Sequence, residues 1–137
     1  MQDIEQRGIT MIKQKGVTLI KNKQFHVYNE KEHGHPGVTF KELVGDNSPL
    51  KQVSEVFMLH DSNVDVGKEI FPHSHHGNDR LFYVVEGKGE FMVDGKYYTV
   101  DEGDLFYLEE GAGITHGFKN IGKKKMRMIA IALNGPL

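Results

Sequence analysis

The sequence predicts an all-β domain, either a sandwich or a barrel. Sixteen glycines separate short runs rich in Val, Ile, Phe, Tyr and Thr, and the turns recur about every ten residues. Between two such runs, Asp94-Gly95 predicts a two-residue hairpin turn, because both positions tolerate the positive φ of a type I′ turn. Only residues 2–7 favour a helix, and they do so weakly. With 137 residues and an apolar share of 38%, the chain can bury a core without disulfides.

The predicted strands follow one another with short turns between them. Residues 80–85 form a nearly continuous apolar run, as expected of a strand buried on both faces. Within that run, Arg80, Phe82 and Val84 should share the interior face. No repeat, low-complexity tract or linker interrupts the pattern, so we treat residues 1–137 as one domain. The predicted strands are 16–20, 24–28, 38–44, 52–60, 80–85, 90–94, 96–100, 105–108, 115–119 and 125–133.

Composition and charge exclude several classes of protein. The absence of Cys excludes disulfide frameworks, thiolate zinc sites, iron–sulfur clusters and thiol nucleophiles. A net charge of −2 is not the basic field of a nucleic-acid binder. The longest apolar run, residues 128–133, is too short to span a membrane, and the N-terminus lacks the apolar segment of a secretory signal. We therefore expect a cytoplasmic protein with no nucleic-acid or membrane partner.

His73 and His75 are the first candidate metal ligands among the eight histidines. In an extended segment both imidazoles lie on one face, about 7 Å apart along the backbone. Both rings can then reach one ion at about 2.0–2.1 Å from each nitrogen, and a third ligand must come from another strand. The alternative is a pair of solvated loop histidines, and the His-x-His pattern alone does not decide between the two.

The surroundings of this pair resemble the two motifs of the cupin superfamily. The first motif of that family reads G, five residues, H-x-H, three or four residues, E, six residues, G. The second reads G, five residues, P-x-G-x-x-H-x-x-x-N. The resemblance covers residues 53–133 and includes the hairpin at 89–100 between the motifs. The matching residues are Gly67, His73, His75 and Gly87 in the first motif, and Gly113, His116 and Asn120 in the second.

The resemblance implies a double-stranded β-helix, or jelly-roll barrel, with one divalent metal ion (Fe, Mn, Ni or Zn) at its mouth. Its ligands would be His73, His75 and His116. Neutral imidazoles suit such ions, and an open coordination position would remain for substrate or water. Small cupins commonly pair through the strands that precede the barrel, and pairing removes an exposed strand edge. We therefore expect residues 1–50 to contact a partner subunit in a homodimer and residues 53–133 to form the barrel.

Two departures from the family pattern affect the site. Arg80 stands where the family has a metal-binding glutamate, and a guanidinium cannot bind a cation. Asp79 would replace the glutamate if a bulge turned it inward. Otherwise Arg80 holds a substrate carboxylate or enolate with two hydrogen bonds, or it pairs with an acid such as Asp79 or Glu86. In the second motif Gly111 replaces the proline, and Glu109-Glu110 forms a small loop insertion.

The remaining histidines are interpreted as less informative. His76 should face away from the pair, and His26 and His60 are interpreted as structural. The segment His33-Gly-His35-Pro36 is a second His-x-His, but its Gly and Pro indicate a loop rather than a metal site. The aromatic residues expected in the core or the pocket wall are Phe82, Phe91, Tyr83, Tyr97 and Tyr98.

The resemblance favours a metal-dependent small-molecule enzyme, for example a dioxygenase, isomerase, decarboxylase or lyase, acting on a small anionic substrate. The ion would serve as a Lewis acid or activate dioxygen, and Arg80 would orient the anion. No general base stands out; His76, Glu109 and Tyr83 are weak candidates. The alternative is a non-catalytic module that binds a small ligand or a sugar. Arg80 favours that alternative, the three histidines oppose it, and the fold does not select the reaction.

Overall fold

The computed structural model consists almost entirely of antiparallel strands and describes residues 2–6, 9–14, 16–74, 78–109 and 115–134. Two short helical segments lie among these strands, a 3-10 turn at Asn22–Gln24 and helix α1 at Glu30–His33. The strands are β1 (Gln2–Gln6), β2 (Ile9–Gln14), β3 (Val17–Ile20), β4 (Val27–Tyr28), β5 (Val38–Val44), β6 (Val56–Val64), β7 (Glu69–His73), β8 (Asn78–Glu86), β9 (Gly89–Val93), β10 (Lys96–Val100), β11 (Leu105–Leu108), β12 (His116–Asn120) and β13 (Met126–Asn134).

The strands form three sheets. The largest has the order β11-β8-β13-β6-β5-β4, and a second has the order β10-β9-β12-β7. These two sheets enclose the core between them, which is the jelly-roll arrangement predicted from the sequence. Strands β1, β2 and β3 form a separate three-stranded sheet. The expectation that residues 1–50 contact a partner subunit stays a prediction.

The core between the two large sheets is built around aromatic rings. Phe91 on β9 stacks on Phe118 of β12 at 4.3 Å between ring centroids, and Phe82 of β8 lies 4.9 Å from Phe118. All three side chains are buried, and full burial of such a ring stabilises the fold by about 1.5–3 kcal/mol. The predicted interior face of residues 80–85 is confirmed, because Arg80, Phe82 and Val84 are buried.

Of the aromatic residues expected in the core or the pocket wall, Phe82 and Phe91 are in the core, but Tyr83, Tyr97 and Tyr98 are not core residues. Their side chains are 45%, 66% and 48% exposed. Tyr83 alternates with the buried residues of β8 and therefore faces outward. The other two lie on β10, an edge strand of its sheet, where a neighbouring strand covers only one side.

The N-terminal segment also differs from the prediction. Residues 2–7 were expected to favour a helix, but Gln2–Gln6 is strand β1, in register with β2 at Ile4 and Met11. Pairing with β2 provides the backbone hydrogen bonds here, and such pairing overrides a weak local preference. The predicted strand 52–60 is shifted, since β6 spans Val56–Val64.

The predicted two-residue turn at Asp94-Gly95 is confirmed between β9 and β10. Asp94 and Gly95 have φ values of 47° and 81°, as a type I′ turn requires. None of the helices in the described ranges has the length and apolar character needed to cross a lipid bilayer.

Candidate functional site

A cavity of about 450 Å³ opens between the two large sheets. Small side chains on β13 provide the room. Ala130 lies in register between His60 of β6 and Phe82 of β8, and Ala132 lies between Met58 and Arg80. The polar residues that line the cavity are Tyr28, Glu32, His33, His35, Glu42, His60, Ser62, His73, Arg80 and His116.

Two of the three predicted metal ligands lie side by side in this cavity. His73 at the end of β7 is in register with His116 at the start of β12, and their ring centroids are 4.7 Å apart. His116 is only 1% exposed. Two imidazoles this close can both bind one ion at about 2.0–2.1 Å.

A bulge at Phe71-Pro72 brings the two histidines together. On β12, His116 and Phe118 are two residues apart, whereas their partners on β7, His73 and Ile70, are three apart. Pro72 cannot donate a ladder hydrogen bond, and prolines within sheets lie at such irregularities. Gly117 accommodates the bulge because a Cβ at this position would lie 2.9 Å from the carbonyl oxygen of Ile70.

The backbone of Phe71 in this bulge fixes the tautomers of two imidazoles. Its carbonyl accepts a hydrogen bond from Nδ1 of His73 at 2.7 Å, so Nδ1 carries the proton and Nε2 keeps its lone pair. Its N–H donates to Nδ1 of His35 at 3.0 Å, so neutral His35 carries its proton on Nε2. Burial lowers the pKa of His35, and the neighbouring His33 and His73 act in the same direction. The site therefore contains a lone-pair nitrogen suited to a metal, Nε2 of His73, and a nearby hydrogen-bond donor, the Nε2–H of His35.

The third predicted ligand, His75, lies outside the described residues, as does His76. Within the ranges that the structure describes, no group of three His, Cys, Asp or Glu side chains is arranged to hold a metal ion. His73 and His116 are thus two ligands of a site whose predicted third member is not described.

Arg80 lines the same cavity as the two histidines and is 8% exposed. One guanidinium nitrogen, Nη1, lies 3.5 Å from the sulfur of Met58. A buried guanidinium on a cavity wall is suited to binding an anion with paired N–H donors.

Asp79 is not turned toward the metal ligands. The register between β8 and β13 is continuous from Asn78 to Val84, so no bulge intervenes there. Asp79 therefore faces the side of β8 opposite to Arg80. Its carboxylate accepts a hydrogen bond of 2.6 Å from the hydroxyl of Tyr107, and this bond raises the pKa of Tyr107 to about 12. The hypothesis of an inward-turned Asp79 ligand is wrong for this structure.

Asn120, the last residue of the second motif, has a structural role. Its side chain is 1% exposed and donates to the carbonyls of Val64 and Lys124 at 2.9 and 2.8 Å. Its side-chain oxygen accepts from the N–H of Gly122 at 2.9 Å. These bonds close the turn between β12 and β13 and attach it to β6.

Seven of the ten polar residues of the cavity wall are not among the site residues that the sequence predicts. Three of them bear on its chemistry: the sequence indicates a loop at His35, a structural role for His60 and no role for Glu42. His60 and Glu42 occupy opposed positions on β6 and β5, and both line the cavity. His60 and Ser62 are two residues apart on β6 and therefore share a face of the strand. The predicted strand ended at residue 60, so this alternation was not available to place His60 in the cavity.

Comparison with known proteins gives a consistent family assignment. The family described as "Cupin domain" matches residues 61–132. An oxalate-binding protein of Thermotoga maritima is 25% identical over 67 residues, which are 49% of this chain and 54% of that protein. The chain spans about half the length of the curated relatives it matches.

Solved structures share the fold at low identity. A predicted oxalate decarboxylase from Thermotoga maritima superimposes with a TM-score of 0.64 at 18% identity, covering 81% of this chain and 92% of that one. A bacterial pirin, YhhW from Escherichia coli in complex with nickel(II), gives 0.66 at 21% identity, covering 82% of this chain and 55% of that one. At such identities the likeness concerns the fold alone.

Proposed function

Because this chain belongs to the cupin family, we propose that it is a metal-dependent enzyme acting on a small anionic molecule. The reaction would be of the dioxygenase, isomerase, decarboxylase or lyase type. The proposal depends mainly on one observation, that two adjacent imidazoles and a buried guanidinium line the same cavity. The ring centroids of His73 and His116 are 4.7 Å apart, and Arg80 lines the cavity with them.

The residues present fit a divalent metal. His73 is held with Nε2 as its lone-pair nitrogen, and such an outer hydrogen bond to a ligating imidazole is usual in metal sites. His73, His75 and His116 would hold the ion, and a three-histidine set leaves open positions for other ligands. When bound, the ion would supply a Lewis acid that polarises an oxygen atom of the substrate.

The other cavity residues would bind and enclose the substrate. The guanidinium of Arg80 would hold a carboxylate through two parallel N–H donors. The apolar side chains of Ile70, Phe82, Phe118 and Met128 line the cavity and would exclude water. Exclusion of water strengthens the attraction between the guanidinium and an anion, because the local dielectric constant falls.

The names of the similar proteins agree with this chemistry. Oxalate is named for the Thermotoga maritima relative and for a structural neighbour, and nickel for another neighbour. A small dicarboxylate is therefore a suitable first probe. The name "oxalate-binding protein" also favours a second candidate, a binding module that holds the anion without transforming it.

Calorimetric titration tests the proposal in two steps. Metal-free protein is titrated with Mn²⁺, Ni²⁺ or Zn²⁺, and the loaded protein is then titrated with oxalate. We expect His73→Ala to lose metal binding, and Arg80→Gln to keep metal binding but weaken oxalate binding at least about tenfold. His26→Ala, at an exposed histidine that does not line the cavity, serves as the matched control.

Retention of metal by His73→Ala would contradict the proposed ligand set. Wild-type oxalate affinity in Arg80→Gln would contradict the proposed anion site. Tight oxalate binding, with no consumption of dioxygen and no conversion of any of a panel of small carboxylates, would favour the binding module.

A further inference from the structure

The cavity wall opposite the metal ligands contains a carboxylate and an imidazole that the proposed function does not use. Glu42 on β5 and His60 on β6 are directly opposed in the sheet, and both line the cavity. Glu42 is 7% exposed. His60 is partly buried. Apolar residues of similar volume would stabilise the fold as well as this acid–imidazole pair or better, so stability alone does not account for it.

Glu42 is held in place from several sides. One carboxylate oxygen, Oε2, accepts from the hydroxyl of Tyr28 at 3.1 Å and from the backbone N–H of Asn47 at 2.9 Å. The other, Oε1, lies 3.4 Å from Nε2 of His60. The loop after β5 encloses the carboxylate closely: Gly45 has a φ of +152°, and a Cβ there would lie 2.5 Å from Oε1. The loop therefore fits closely around the Glu42 side chain.

The same contact sets the protonation of the imidazole. An ionised carboxylate only accepts hydrogen bonds, so Nε2 of His60 is the donor and Nδ1 has the lone pair. A contact of 3.4 Å is long, but such bonds commonly shorten when substrate binds. The arrangement resembles a base whose orientation and tautomer are set by a carboxylate.

The charges around His60 favour a neutral ring in the absence of substrate. Burial lowers its pKa, the charge of Arg80 acts in the same direction, and Glu42 opposes both. Tyr28 on β4 also faces the ring, at 6.3 Å between centroids. On β13, the residue in register with His60 is Ala130, which has no charge. An anion bound by Arg80 would neutralise this positive charge and so make His60 a stronger base.

We propose that His60, oriented by Glu42, is the base that removes a proton from the carbon next to a carbonyl group in a carboxylate-bearing substrate held by Arg80. This inference rests on the proposed function. The C–H bond breaks, its proton passes to Nδ1 of His60, and its electron pair moves into the carbonyl group to give an enolate. The protonated imidazole keeps its bond to Glu42 and returns a proton to the same carbon, which restores the carbonyl group. The reaction class is enolisation of a 2-oxo acid.

Exchange of substrate protons with solvent tests this step directly. Metal-loaded protein is incubated in D₂O with pyruvate or 2-oxoglutarate, and deuterium incorporation is followed by mass spectrometry against a protein-free control. We expect wild-type protein to exchange the protons next to the carbonyl. His60→Asn should slow the exchange by at least about 10²-fold, the usual contribution of a general base. Glu42→Gln should slow it by about 10–100-fold, as expected of a positioning residue.

One matched control and two further readouts separate catalysis from misfolding. Glu102→Gln changes an exposed glutamate in a surface ion pair and should exchange at the wild-type rate. Metal content and oxalate affinity are measured on every variant. Long-range ¹H–¹⁵N spectra of the metal-free protein should give His60 the Nε2–H tautomer, and Glu42→Gln should reduce the population of that tautomer.

The outcomes are distinguishable. Exchange lost in both variants, with metal and oxalate binding intact, supports the proposal. Wild-type exchange rates in either variant overturn it, as does a wild-type protein that binds metal and oxalate but exchanges neither probe. A wild-type protein that binds neither metal nor oxalate refutes the proposed function itself, and this inference with it.

Discussion

Gly117→Ala should weaken the fold and the metal site together, because Gly117 allows β12 to approach the bulge of β7. A Cβ at this position would lie 2.9 Å from the carbonyl oxygen of Ile70, 3.1 Å from the nitrogen of Pro72 and 3.2 Å from its Cα. All three atoms belong to the backbone, so the new methyl group must push the strands apart rather than displace a flexible side chain. His116, the neighbour of Gly117, would then move away from His73.

The expected loss of stability is about 1–3 kcal/mol, the usual cost of overpacking a tight contact. For a chain of this size that corresponds to a decrease in Tm of about 4 °C per kcal/mol. Metal affinity should fall by about 10–100-fold, as when the groups that position metal ligands are disturbed. Thermal unfolding of the metal-free protein and calorimetric titration with Zn²⁺ measure the two effects separately.

Gly103→Ala provides the matched control. Gly103 has a φ of +88°, and nothing lies within 4 Å of a Cβ built there. Alanine in this conformation costs about 1–2 kcal/mol through backbone strain alone. It should therefore lower the Tm and leave metal affinity unchanged. Wild-type stability and metal affinity in Gly117→Ala would show that the close approach at Gly117 does not matter, and an equal loss of affinity in Gly103→Ala would show that the effect is not specific to it.

Three further predictions concern single contacts. Asp61→Asn should lower the free energy of unfolding in urea by about 1–2 kcal/mol. The substitution weakens two hydrogen bonds, of 2.9 and 2.8 Å, from the partly exposed guanidinium of Arg127; an unchanged midpoint would contradict this. The pKa of His60 is lowered in the folded state, so protonation favours unfolding and Tm should fall as the pH drops below about 6.5, with a shallower fall in His60→Asn; parallel pH profiles would show that His60 contributes nothing. Tyr107 should ionise at a pKa of about 12 in ultraviolet titration, and Asp79→Asn should return it toward about 10; a Tyr107 signal that ignores Asp79 would disprove the contact.

Local signals in the sequence predicted much of the barrel. Strand β5 was predicted at residues 38–44 and β11 at 105–108, and both agree with the structure. The Asp94-Gly95 turn followed from the two positive φ values that a tight hairpin needs. The resemblance to the cupin motifs implied that His73 and His116 lie together, and strand parity predicted the inward position of Arg80.

The features that were missed depend on contacts between distant segments. His35 lies next to His73 because helix α1 ends at His33, with Gly34 as its C-cap, and the bulge of β7 presents the N–H of Phe71 to the ring of His35. No short-range pattern encodes that approach. Glu42 faces His60 because β5 and β6 pair in one particular register. The predicted limits of the second strand, 52–60, differ from those of β6, so this register could not be deduced from the sequence.

We propose that the histidines of this cavity hold a divalent metal ion. Plasma mass spectrometry of untagged, purified protein measures this directly, with His73→Ala as the test variant and His26→Ala as the control. We expect near-stoichiometric Fe, Mn, Ni or Zn in the wild-type protein and the control, and loss of the metal in His73→Ala. Wild-type protein that remains empty after reconstitution with each of these metals would show that the cavity is not a metal site.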